Sequence, residues 1–239
     1  MENKMHNTYS LSIRFASDGF SLSVNDQNST VISRKQINEN FFEMSDTKIV
    51  DTLADITELQ QNFASARIVV NSFKYCLVPA QLFDTQSAIK YFEFQFGKIS
   101  SNEQMLFNAL PVASAVIVFS VPAMLYNALH PILPEINIEH HLSHIFNDFV
   151  MLNDKIMLHL WVNNNSFDAL LLNKGQLMLA NHFEYETNDD FVYHTANILK
   201  TFGADKTNAE IVLYSKNGYD DLCALCTKHL ALCTNKIVD

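Results

Sequence analysis

Residues 159–185 read HLWVNNNSFDALLLNKGQLMLANHFEY. Apolar runs are broken here by two polar turns, Asn163-Asn164-Asn165 and Lys174-Gly175, and that spacing predicts three consecutive antiparallel strands: KIMLHLWVN, FDALLLNK and QLMLANHFEY. The stretch NDDFVYHTANILKTFG follows with helical periodicity. Thr187 and Asp190 are spaced as a capping box at its start, and Gly203 stands at its stop. A strand, AEIVLYS, and a helix, DDLCALCTKHLALC, close the segment. The expected order is therefore three strands, helix, strand, helix.

The first half repeats that order without repeating its residues. In YSLSIRFASDGFSLSVND, Tyr9, Leu11, Ile13 and Phe15 alternate with Ser10, Ser12 and Arg14. Phe20, Leu22 and Val24 resume the apolar face after the Asp18-Gly19 turn. TVISRKQI supplies a third strand, and SDTKIVDTLADITELQQNF a helix with Ser45 as its cap. RIVVNSFKYCLVP then reads as one strand and AQLFDTQSAIKYFEFQ as a helix. Each half is expected to be a mixed sheet flanked by helices, with one lobe over residues 1–135 and the other over 136–239.

Bulk chemistry narrows the function. A formal net charge of -10, with 16 scattered Lys and Arg, argues against nucleic acid and against acidic phospholipid surfaces. The start, MENKMHNTYS, lacks the apolar core of a secretory signal, so a cytoplasmic location is expected. From Gln104 to Pro134 there is no Asp, Glu, Lys or Arg, a length that would span a bilayer. Four prolines divide it, and its β-branched centre, VASAVIVFSV, predicts a buried strand followed by the helix AMLYNALHPIL. No integral membrane segment is expected.

The order of elements resembles the ribonuclease H-like unit, and its duplication resembles the actin-like ATPase architecture of actin, Hsp70-type chaperones, sugar kinases and the actin-like proteins of cell division and type IV pilus assembly. More closely, SDGFS, LVPAQLF and LANHFEYETNDDFVYH resemble a Bacteroidetes family known only as a domain of unknown function (3822). The resemblance implies an α/β, bilobed fold and carries no activity with it.

In actin-like ATPases two hairpin turns hold the nucleotide, each with an Asp followed by Gly. Glycine admits backbone N–H groups to the phosphate oxygens, and carboxylates orient hydrated magnesium. Ser17-Asp18-Gly19 could be mistaken for such a turn, but Asp-Gly is also the commonest demand of an ordinary tight hairpin, and the hairpin is the expected reading. Asn163-Asn164-Asn165 has amides that tolerate left-handed angles and no charge for a metal. The five glycines, at 19, 97, 175, 203 and 218, include no close pair. The first strands, YSLSIRF and KIMLHLW, hold no acid for ribonuclease H-type metal chemistry.

Two clusters remain. His140, His141 and His144 in NIEHHLSHIFNDF have helical spacing that suits either a metal site or polar contacts at the start of the second lobe; the latter is expected. Cys223, Cys226, Leu230 and Cys233 form one helical stripe, expected to pack on the sheet. Ser10, Ser12, Arg14, Ser21 and Ser23 make a small polar face for water or for a partner.

The resulting expectation is a non-catalytic actin-like adaptor for a protein partner, without cofactor or metal, with peripheral contact to a membrane assembly as one setting. Its contact candidates are Ser17, Asp18, Gly19, Asn163, Asn164, Asn165, His140, His141 and His144. The alternative is a small-ligand binder or enzyme that uses the cleft between lobes.

Overall fold

The computed structural model describes residues 9–16, 19–28, 30–60, 63–131, 133, 137–148, 155–215 and 218–237. The chain divides into two compact units, residues 1–148 and 149–239.

The first unit opens with β1 (Ser10–Ala16), β2 (Gly19–Asn25) and β3 (Val31–Ile37), an antiparallel meander whose alternate residues Leu11, Ile13, Phe15, Phe20, Leu22 and Val24 are all buried. Helix α1 (Asp46–Ala54) starts at Ser45, whose hydroxyl accepts from Lys48 N, and presents Ile49 and Leu53 to the interior. Strand β4 (Ser65–Val70) then pairs with β1 in parallel.

At this point the expected single strand RIVVNSFKYCLVP divides. Asn71 N donates to Phe15 O (2.8 Å), which ends the pairing with β1. Ser72 Oγ then donates to Ser120 O (2.8 Å), and the chain enters a second sheet as β5 (Tyr75–Pro79). Helix α2 (Thr85–Phe96), β6 (Glu103–Leu110), β7 (Ala115–Pro122) and α3 (Ala123–Leu129) follow. The second sheet has the order β5-β7-β6, antiparallel throughout, and α2 packs Ala88 and Phe92 against Val78 and Val118. Seven of the eight residues of β7 are buried, because the strand is central. The charge-free stretch is thus explained by two strands and a short helix. No helix among the described residues is long and apolar enough to cross a membrane.

Strand β8 (Ile138–His140) returns to the first sheet beside β4, and α4 (His141–Asp148) follows it. The sheet order is β3-β2-β1-β4-β8. The division between units therefore falls after Asp148, not after residue 135, because β8 completes the first sheet.

The second unit comprises β9 (Ile156–Val162), β10 (Ser166–Asn173), β11 (Gln176–Glu184), α5 (Asn188–Thr201), β12 (Ala209–Ser215), α6 (Asp220–His229) and β13 (Leu232–Ile237). Its order, β11-β10-β9-β12-β13, is that of the first sheet strand for strand. Leu158, Leu160, Phe167, Leu171, Ile211 and Leu213 face α5 and α6, with Phe167 centred between Phe183 (5.2 Å) and Phe191 (4.7 Å). The expected helix through Cys233 stops at His229 instead. Leu232 to Ile237 pair in parallel with β12, which satisfies backbone groups that a continued helix would leave on an open edge.

The capping box of α5 forms as its spacing predicts. Asp190 N donates to Thr187 Oγ1 (3.1 Å), and Thr187 N donates to Asp190 Oδ2 (2.9 Å). Thr187→Ala is expected to cost about 1 kcal/mol in urea unfolding, while Thr187→Ser restores most of it; equal stability of the two variants would contradict this.

Candidate functional site

The two turns that the actin-like resemblance marks out differ in what holds them. Ser17 and Asp18 lie outside the described residues. Gly19 is not at the tip of its turn. It is the first residue of β2, opposite Ala16, with φ +134°. A Cβ there would lie 2.2 Å from Ile37 O and 3.2 Å from Asn38 Cα. The close approach of β3 thus accounts for this glycine, with no anion required.

In the second turn, Asn163 N donates to Ser166 O (2.8 Å). Tyr185 N donates to Asn165 O (2.9 Å), and Tyr185 Oη donates to Asn163 O (3.0 Å). Burial, with Tyr219 nearby, pushes the Tyr185 phenol up to about 12, so it stays a donor. Outside glycine, positive φ occurs among the described residues at Ser114 and Lys174, so the left-handed tolerance of the asparagines is not used. Two of the turn's carbonyls are committed to Tyr185, and the turn has no cationic side chain to attract a phosphate.

The histidine segment serves as a structural joint within the first unit. His140 is fully buried at the end of β8. Its Nε2 lies 2.9 Å from Ser72 O, an acceptor only, so Nε2 carries the proton and Nδ1 accepts from Leu142 N (3.3 Å). Both ring nitrogens are engaged, which leaves no lone pair for a metal. The ring packs on Tyr75 (4.8 Å), Phe119 (5.0 Å) and His141 (4.4 Å). Asn108 accepts from His140 N (2.7 Å) and from Ser143 Oγ (3.2 Å) and donates to Ile138 O (3.1 Å), tying β6 to β8 and α4. His141 is buried beside it, and the side chain of His144 lies outside the described residues. Among the described residues no group of three or more His, Cys, Asp or Glu is placed to hold a metal ion.

A pocket of about 420 Å³ opens in the first unit, bounded by Phe42, Met44, Phe73, Lys74, Glu103 and Val121, with Asp46 also on its lining. Phe42 and Phe73 stand 6.2 Å apart between ring centres. Lys74 Nζ pairs with Glu103 Oε1 at 2.9 Å; Ser120 Oγ and Ser100 N donate to the same carboxylate, each at 3.2 Å. Burial alone would raise the Glu103 pKa, but Lys74 and these donors outweigh it and hold it below the usual range. The pocket therefore joins an apolar wall to a fixed ion pair, a combination suited to a side chain or small molecule with an apolar body and a polar end.

The second unit carries a row that spans all five strands on the face opposite its helices. Register places His182, Asp168, Trp161, Tyr214 and Lys236 side by side across β11, β10, β9, β12 and β13. His182 Nδ1 lies 3.0 Å from Asp168 Oδ1, and Asp168 is buried. Trp161 and Tyr214 stack at 4.4 Å with planes 3° apart, and Lys236 Nζ stands 5.6 Å over the Tyr214 ring. One step away, His159 Nδ1 lies 3.1 Å from Tyr214 Oη. Burial, and secondarily Lys236, depresses the His159 pKa to about 4.

The family described as "Protein of unknown function (DUF3822)" matches residues 1–231. The chain belongs to the DUF3822 family. Among solved structures, a Bacteroides thetaiotaomicron VPI-5482 protein described as having an actin-like ATPase fold and unknown function superposes with TM-score 0.80 at 21% identity. The alignment covers 98% of this chain and 93% of that one. The PilM-PilN type IV pilus biogenesis complex contains a chain that superposes with TM-score 0.59 at 10% identity, covering 95% of this chain and 88% of its own. No curated protein matches the sequence. At these identities the likeness establishes the fold: the DUF3822 protein has the actin-like ATPase fold, with ribonuclease H-like lobes.

Sequence reasoning missed both the pocket and the five-residue row of this DUF3822 chain. Its members lie on five separate strands, one each, so no local spacing in the sequence marks the row. Which strands lie beside β9 is not written there.

Proposed function

We propose that this DUF3822 protein is a non-catalytic adaptor that acts in the cytoplasm and recognises a segment of a partner protein, with the first-unit pocket as its anchor point. The observation that carries the proposal is the Asn163–Asn165 turn. Its carbonyls are held by Tyr185, and it lacks the glycine and carboxylate that magnesium-nucleotide binding demands. The identity of Gly19 has a packing cause, which removes the other reason to expect a phosphate at the first turn. A PilM-PilN complex also provides a precedent for an actin-like chain within a protein assembly. The Asn163–Asn165 turn and the Ser17–Gly19 turn remain secondary contact candidates, and the buried His140 is a positioning residue.

The test is affinity capture from the native host with the wild-type chain, Phe73→Asp and Lys74→Glu in parallel. One partner retained by the wild type and reduced at least about tenfold by both variants, at equal melting temperature, is the expected result. Magnesium-dependent ATP hydrolysis that Asp18→Ala abolishes would overturn it. The same 420 Å³ also fits a metabolite, the second reading. Native mass spectrometry separates the two, since a stoichiometric small molecule displaced by Lys74→Glu favours the ligand.

A further inference from the structure

The first-unit pocket is not electrically neutral, and the imbalance specifies the guest that enters it. Three charged side chains line the cavity: Lys74, Glu103 and Asp46. Lys74 is committed to Glu103 at 2.9 Å, so the charges of that pair cancel. Asp46, exposed in the first turn of α1, has no ion pair and no side-chain hydrogen bond among the described residues. Lys48, on the same helix, is paired with Glu39. One negative charge is left uncompensated on the lining.

Glu103 also keeps an open acceptor position. A carboxylate offers about four lone-pair sites. Lys74 Nζ and Ser120 Oγ both meet Oε1, and Ser100 N meets Oε2. Oε2 therefore retains a site that none of these donors fills, on a group held from three sides. The same cavity is walled by Phe42 and Phe73, with ring centres 6.2 Å apart and planes 48° from parallel. Ring faces attract cations, whereas an anionic guest would meet two carboxylates for one ammonium.

We propose that the guest is an arginine side chain of the partner segment, stacked against the Phe42–Phe73 pair with its guanidinium forked to Glu103 Oε2 and the Asp46 carboxylate. This inference rests on the reading of the pocket as the partner's anchor point. Arginine suits the site better than lysine, because a planar, weakly hydrated guanidinium stacks on a ring and presents five N–H donors in a fixed fork. The net charge of -10 draws a basic segment towards the chain at longer range. Lys74 acts here by holding Glu103 in place. Lys74→Glu sets a second carboxylate against Glu103 and drives it from its donors, so charge reversal there removes the acceptor.

The test is nuclear magnetic resonance on the full chain, isotopically labelled at its methionine methyl groups. Met44 lines the pocket and reports its occupancy, and Met44→Leu identifies the resonance. The probes are three tripeptides with acetyl and amide caps: glycyl-arginyl-glycine, glycyl-lysyl-glycine and glycyl-glutamyl-glycine. The expected result is a saturable shift of the Met44 methyl with the arginine peptide, an affinity about fivefold lower for the lysine peptide, and no shift with the glutamate peptide. Asp46→Asn lowers the affinity for the arginine peptide about fivefold at unchanged melting temperature. An arginine peptide that binds no better than the glutamate peptide, or that leaves the Met44 methyl unmoved, overturns the assignment. The anchor-point reading survives that outcome if Phe73→Asp still releases the captured partner, and falls with it if capture is indifferent to Phe73→Asp. Should Asp46→Asn fail to fold, the wild-type ranking of the three peptides decides alone.

Discussion

Gly19→Ala will destabilise the first unit by about 3 kcal/mol, the sum of a backbone strain of about 1–2 kcal/mol for an L-residue at φ +134° and a comparable packing cost. The packing cost arises because the new Cβ would sit 2.2 Å from Ile37 O. That oxygen belongs to the main chain of β3 and cannot rotate away, so β2 and β3 must separate. The separation disturbs the Phe20↔Ile37 pairing and the aromatic core behind it, where Phe15 meets Phe20 at 4.9 Å and Phe41 at 4.5 Å. Urea unfolding followed by circular dichroism measures the loss. A glycine kept for a phosphate would behave in the opposite way, with stability almost unchanged and a nucleotide affinity lost.

Acidification produces the second large effect. The His159 ring has a pKa of about 4 in the folded chain against an ordinary value of 6.5, so the folded state takes up its proton later than the unfolded state does. The contribution of the neutral ring to stability is complete above about pH 6.5 and is lost progressively as pH falls towards 4. At about 1.4 kcal/mol per pH unit, the full loss is about 3 kcal/mol. The physical cause is burial of His159 on β9, a strand flanked by β10 and β12, with Lys236 adding repulsion. His159→Gln does not titrate and can still bond Tyr214 Oη, so its stability should be flatter between pH 6.5 and 4 than that of the wild type. Parallel pH dependence of the two proteins in denaturant titrations would assign the acid sensitivity to other groups.

Much of the architecture was legible because it is written in short-range patterns. The alternation of Leu11, Ile13 and Phe15 is satisfied only by a strand with one face buried, and the Thr187/Asp190 spacing satisfies helix N–H groups within four residues. The same logic failed where a local pattern had two solutions. Leu230 and Cys233 continue a helical stripe, yet the open edge of β12 offers six residues a ladder, and the ladder prevails. RIVVNSFKYCLVP reads as one apolar run, but Asn71 and Ser72 bond to different sheets and break it. The His140 segment carried a metal-like spacing; its nitrogens are engaged by Ser72 and Leu142, partners that spacing cannot reveal.

By itself the sequence of this DUF3822 protein determined the three opening strands of each unit, the caps at Ser45 and Thr187 and the poverty of the Asn163–Asn165 turn in charge and glycine, since each depends on residues a few positions apart. Tertiary structure alone decided that Gly19 answers to Ile37, that Cys233 leaves the helix for a strand beside β12, and that His182, Asp168, Trp161, Tyr214 and Lys236 stand in one row. Strand pairing brings together side chains from separate elements, and the free energy that selects the partners lies in the contacts of the assembled sheet, beyond the reach of any local pattern.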